Sequence, residues 1–117
     1  MPTATGHTTA IRASRVIGTA VYNTSGDKIG EVEDVILDKT SDTIKFAVVG
    51  FGGFLGVGEK YHAVPWASLN YEDNQGGYIV PFTKEQLETA PQDTIHELTK
   101  DDGERARTTA MTHYGLR

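Results

Sequence analysis

Punctuation constrains this chain more than any other feature. From Val16 to Phe82, short apolar runs are cut again and again by clusters of glycine, asparagine, aspartate and serine. The runs are Val16–Tyr22, Ile29–Leu37, Ile44–Phe51, Lys60–Val64, Leu69–Glu72 and Tyr78–Phe82. Each is of strand length, and the spacing between turn clusters is that of an all-β domain. Thirteen glycines supply positive-φ positions for tight bends, which disfavours a helical bundle. In Asn23-Thr24-Ser25-Gly26-Asp27, Gly26 is free to turn left-handed while the Asn and Asp side chains bond their own backbone.

Two runs carry more information than the rest. In Ile29–Leu37 the alternation is imperfect: Val32 and Ile36 fall on one face, Val35 and Leu37 on the other. Such a strand is either buried on both faces at its end or carries a β-bulge that changes its register. In Ile44–Phe51, Ile44, Phe46 and Val48 share one face, and Ala47, Val49 and Phe51 the other. A strand apolar on both faces predicts a central position with its outer side covered.

Past Phe82 the pattern becomes helical. Thr83 with Gln86, and Thr94 with Glu97, form capping boxes that open short helices over 84–90 and from 95 through Leu98, the first ending at Pro91. No element is assigned to residues 104–117. The chain therefore divides into a flexible N-terminal arm (1–13), a β domain (14–91), and a short C-terminal helix with a flexible tail (92–117). The expected fold is mainly β, with one or two short C-terminal helices.

Charge and composition narrow the function. Of the net charge of −5, residues 14–91 account for all, with six lysines and arginines against eleven aspartates and glutamates. An acidic body repels phosphate backbones, so direct nucleic-acid binding is not expected. The absence of cysteine removes disulfides, thiolate ligands and cysteine nucleophiles, and fits a reducing compartment. No apolar run reaches signal-peptide or membrane-spanning length, so a cytoplasmic location is expected.

Side chains with chemical potential do not converge. Gly53-Phe54-Leu55-Gly56-Val57-Gly58 has the glycine spacing of a phosphate loop, but Glu59 stands where lysine is required and a strand follows where a helix is needed. His7, His62, His96 and His113 are scattered without ligand spacing, so no metal site is expected, and His62 reads as a rim histidine bonded to neighbouring backbone or carboxylate. Glu31 and Glu33 share a strand face beside Asp34, Asp38 and Asp42, which reads as a solvated acidic surface. Ser14, Ser25, Ser41 and Ser68 lie outside any nucleophile elbow. Trp66 after Pro65 reads as a core plug, and the tyrosines have no interleaved cations for base stacking. No catalytic residue and no cofactor is expected. Phe54 and Leu55, set among glycines too small to cover them, remain as an apolar knob, and Gly53, Phe54, Leu55, Gly56 and Val57 form the candidate partner-binding site.

Four stretches in order over residues 14–91 carry a resemblance: Gly26-Asp27-Lys28-Ile29-Gly30-Glu31-Val32-Glu33-Asp34-Val35, Gly52-Gly53-Phe54-Leu55-Gly56, Ala63-Val64-Pro65-Trp66, and Thr83-Lys84-Glu85-Gln86-Leu87 with Ala90-Pro91. Together they resemble the PRC-barrel family, which takes its name from the cytoplasmic domain of the photosynthetic reaction-centre H subunit. Related barrels form the C-terminal half of a bacterial ribosome-maturation factor. The resemblance implies a small closed antiparallel β-barrel of about six strands, a bacterial, stand-alone scaffold or docking module with no shared catalytic residues. The expected function is a non-catalytic protein-interaction module that forms a homodimer or higher homo-oligomer. The alternatives are a factor docking on a ribosomal protein, or an accessory to proton or electron transfer at a membrane complex. For the last, a pocket lined by Glu31, Glu33 and His62 is the distinguishing feature.

Overall fold

The computed structural model describes residues 11–51, 61–83, 85–86 and 89–115. The described residues open with a helical turn, α1 (Ala13–Val16), followed by β1 (Ala20–Tyr22), β2 (Lys28–Asp38), β3 (Thr43–Phe51) and β4 (His62–Val64). A 3₁₀ turn at Trp66–Ser68 leads to β5 (Asn70–Glu72) and β6 (Gly77–Ile79). Two helices close the chain, α2 (Ile95–Leu98) and α3 (Glu104–His113), joined through a 3₁₀ turn at Lys100–Gly103. None of the helices among the described residues is long and apolar enough to cross a membrane.

The strands form one six-stranded sheet in the order β4-β3-β2-β1-β6-β5. All pairings are antiparallel except β1 with β6, where Val21 faces Tyr78 and Tyr22 faces Ile79 in parallel. The expectation of a wholly antiparallel sheet is corrected there. Strands β2 to β5 act as one long crossover, returning the chain to β1 in β1's own direction. The outer strands β4 and β5 are neighbours in sequence, and this bends the sheet. The link from Val64 to Asn70 spans about 20 Å at most when extended, whereas five flat interstrand spacings of about 4.8 Å hold the edges about 24 Å apart. With a 3₁₀ turn in the link, the reach is shorter still. The sheet is therefore curled, and its hydrogen-bonded order among the described residues runs from edge to edge.

The irregular pattern of Ile29–Leu37 has its physical cause in two register shifts against β3, at Val32/Asp34 and at Ile36/Leu37. They let Val32 and Val35 face one core while Ile36 packs on the other, and they turn Leu37 outward at 62% exposure. Strand β3 is sandwiched as its two-sided apolarity predicts. Ala47 and Val49 enter the core inside the curl with Val21, Val64 and Val80, whereas Phe46 and Val48 enter a second core with Ala63, Leu98 and Ala110.

Local sequence accounts for the connections. Asn23 Oδ1 accepts from the amides of Ser25 (3.0 Å) and Asp27 (2.9 Å), with Gly26 at φ +88. Asp38 Oδ1 accepts from the Thr40 hydroxyl (2.7 Å) and amide (3.0 Å) and from the Ser41 amide (3.3 Å). These bonds favour the carboxylate, led by the Thr40 hydroxyl, and hold the Asp38 pKa down at about 2. The first capping box is reciprocal: Gln86 N donates to Thr83 Oγ1 (3.0 Å) and Thr83 N to Gln86 Oε1 (2.9 Å). In the second, Glu97 N donates to Thr94 Oγ1 at 3.1 Å.

Two further expectations are corrected. Val16 is not the start of a strand: it closes α1, which drops its side chain into the inner core, and Gly18 at φ +91 turns the chain into β1. The tail without an assigned element contains the ten-residue helix α3, which lies against β4. The arm 1–13 falls outside the described residues up to residue 10, and Ala13 belongs to α1.

Candidate partner-docking site

The candidate residues Gly53, Phe54, Leu55, Gly56 and Val57 lie outside the described residues, within the β3–β4 connection. The frame that holds the connection's two ends is described. At one end β3 pairs Phe51 with Gly30 and Gly50 with Glu31. At the other, Tyr61 forms a two-way bridge with Asp93, its amide donating to Asp93 O at 2.7 Å and its carbonyl accepting from Asp93 N at 2.9 Å. Both anchors are ladder bonds, so the connection springs from a fixed base.

That base is acidic. Glu33 sits at the first register shift of β2, and a Cβ placed on Gly50 would lie 3.6 Å from both its carboxylate and the Tyr61 ring. Glu31 instead pairs with Lys28 at 3.4 Å. The two acids thus have different neighbours. Lys28 and Glu31 are both exposed, so the ion pair adds little stability.

Histidines serve the backbone. His62 is buried at 6% exposure, and its Nδ1 is 2.9 Å from Pro91 O. Burial lowers its pKa, opposed by the Pro91 hydrogen bond and aided by electrostatic repulsion from the His113 ring. In its neutral form His62 donates from Nδ1 to that carbonyl. His113 Nε2 lies 2.7 Å from Gln86 O. The two rings therefore fasten both ends of the Gln86–Pro91 segment, a role that no spacing in the sequence signals. Among the described residues, no three His, Cys, Asp or Glu side chains gather as a metal site would require. Trp66 is half-buried against the inner core, edge-on to Tyr78 at 6.1 Å between ring centres.

A cleft of about 100 Å³ lies beneath α3. Its apolar wall comes from Ala63, Leu98, Ala106 and Ala110, and Glu97 and Arg105 stand on its polar side, 3.5 Å apart. Glu31, Glu33 and His62 do not line it, so the feature expected of a proton-handling accessory is not found at this cleft. Tyr114 also lines it, stacked on Phe82 at 3.9 Å, with its hydroxyl buried and unpartnered among the described residues. Burial pushes the Tyr114 pKa up to about 12. Among the described residues, the large apolar side chains left outside are Ile11, Ile17, Leu37 and Ile95, of which Leu37 is by far the most exposed.

The PRC-barrel domain model matches residues 8–87. An uncharacterized protein of Deinococcus radiodurans is 31% identical over 71 residues, which cover 61% of this chain and 25% of that protein. The matched region is thus about a quarter of the length of that relative.

Proposed function

Because the chain belongs to the PRC-barrel domain family, we propose that it is a non-catalytic interaction module that associates with itself through the β3–β4 connection. The observation that carries the reading is the fixed base of that connection, tied by Phe51–Gly30 at one end and by the Tyr61–Asp93 bridge at the other. Between these two anchors in sequence lies an apolar pair among glycines, Phe54 and Leu55, the type of side chain that anchors protein interfaces. Leu37 is exposed at the opposite end of the β2–β3 ladder, where it pairs with Ile44. In this reading the curled sheet is a barrel with β4 and β5 as its seam, and the cysteine-free chain works in the cytoplasm.

Concentration-dependent amide spectra test the proposal. Broadening that begins at Gly53–Val57 as concentration rises is the expected result. Broadening confined to other surfaces, with Gly53–Val57 unmoved, would sink it.

A further inference from the structure

Three consecutive residues at the entry to α3 are left-handed: Asp101 (φ 55), Asp102 (φ 57) and Gly103 (φ 78). Other left-handed residues among those described occur singly, at Gly18, Gly26, Asp42, Gly76 and Gly115. Side-chain-bearing residues adopt this conformation at a steric cost and normally one at a time. On either side the backbone is right-handed, at Thr99 (φ −97, ψ 0) and Glu104 (φ −66, ψ −40). The strained run thus interrupts a helix that would otherwise continue from Ile95 to His113, a rod of about 28 Å.

Docking of α3 on its own body is imperfect. Its contact face is made of the small residues Ala106 and Ala110, it leaves the cleft of about 100 Å³ unfilled, and the Tyr114 hydroxyl just past its end is buried without a partner among the described residues. What holds it is local and specific. Lys45, only 12% exposed, donates to Asp102 O at 2.6 Å and to Glu104 Oε2 at 3.0 Å, while His113 bonds Gln86 O and Tyr114 stacks on Phe82.

We infer that α3 is an exchangeable arm: the Asp101–Gly103 hinge straightens, and α3 of one copy docks in the groove of a second copy against Phe46, Ala63 and Leu98. This rests on the self-association proposed above and gives it a second contact, separate from the β3–β4 connection. A second copy is the fitting occupant because it offers the same α3. The contacts of α3 beyond the hinge, Lys45 with Glu104 and His113 with Gln86 O included, re-form between copies. Lys45 with Asp102 O belongs to the bent hinge and is given up in exchange for release of the left-handed strain in both chains. Strained hinges of this kind favour such swaps.

The chain has no cysteine, so single cysteines report the exchange cleanly. Full chains carrying Lys45→Cys are mixed with full chains carrying Glu104→Cys, concentrated, and treated with a short bis-maleimide. Lys45→Cys also removes the bond to Asp102 O that holds the hinge bent, so all hinge variants are compared in this same cysteine background. Linked heterodimers are expected, with yields several-fold higher when Asp101→Ala, Asp102→Ala and Gly103→Ala straighten the hinge. Yields should fall sharply when Asp101→Gly and Asp102→Gly relieve its strain. Dimers that form without a link between the two introduced thiols overturn the exchange and leave self-association standing. Monomers in every background overturn both. If the alanine hinge does not fold, the comparison of wild-type and glycine hinges decides, and equal linkage in the two overturns the exchange.

Discussion

Replacing Gly77 with alanine should destabilise the protein at one identifiable joint. A Cβ at Gly77 would run into the Ala20 carbonyl oxygen and lie 2.8 Å from the Tyr22 ring. Both neighbours belong to β1, which is held to β6 by only two register pairs and by the bond from Val80 N to Tyr22 O at 3.0 Å. Neither a carbonyl in a ladder nor a ring over it moves freely, so the strands must separate. Overpacking of a tight site costs about 1–3 kcal/mol, and a backbone obstacle places this case near about 2.5 kcal/mol. For a chain of this size that is a fall in Tm of about 10 °C, and in urea a midpoint lower by about 1 M at unchanged slope. Gly76→Ala is the internal control. Nothing lies within 4 Å of its Cβ position, but its φ of +72 makes alanine strained, at about 1 kcal/mol. Urea denaturation of the two variants beside wild type measures the difference. If Gly77→Ala costs no more than Gly76→Ala, the β1–β6 junction is not the tight parallel contact described here.

Other expectations concern single groups. Tyr114→Phe keeps the stack on Phe82 and removes a buried hydroxyl without a partner, so thermal unfolding should show stability unchanged or raised by about 1 kcal/mol. Thr83→Ala breaks a reciprocal capping box and should lower the urea-derived stability by about 1 kcal/mol. Phe46→Ala empties the second core at a fully buried site, and denaturant titration should register a loss of about 3–5 kcal/mol. The His62 pKa is lowered in the folded chain, mainly by burial, so its contribution is present above its ordinary value of 6.5 and is lost as pH falls below it. Urea midpoints at pH 7.5 and 5.5 should therefore differ less for His62→Gln than for wild type.

Local signals in the sequence translated directly into structure where a few adjacent residues determine the outcome. The Asn23–Asp27 turn, the Thr83–Gln86 box and the Thr94–Glu97 cap each depend on side chains within a few residues of the backbone groups they bond. The β2 bulges were legible for a related reason: Val32 and Val35 cannot share one face of a regular strand, and the register shift between Val32 and Asp34 lets both reach the same core. What escaped was non-local. The parallel β1–β6 pairing depends on how the chain returns after β5, which no periodicity records. Helix α3 escaped because Asp101-Asp102-Gly103 reads as a stop, and because its buried contacts are mostly alanines that gain meaning only against Phe46 and Leu98. The roles of His62 and His113 were equally hidden, since each bonds a carbonyl more than twenty residues away. Of the candidate site, the sequence supplies the glycine-flanked pair Phe54–Leu55, and the structure supplies the anchors at Phe51 and Tyr61.

Whether the chain works by associating through its β3–β4 connection is decided most directly by sedimentation equilibrium. Wild-type protein is compared with a folded Phe54→Ser/Leu55→Ser variant up to high micromolar concentration. The expected result is a wild-type mass that rises with concentration toward a dimer or larger assembly, and a variant whose association is clearly weaker. A wild-type chain that stays monomeric throughout, or a variant that associates as strongly as wild type, contradicts the account.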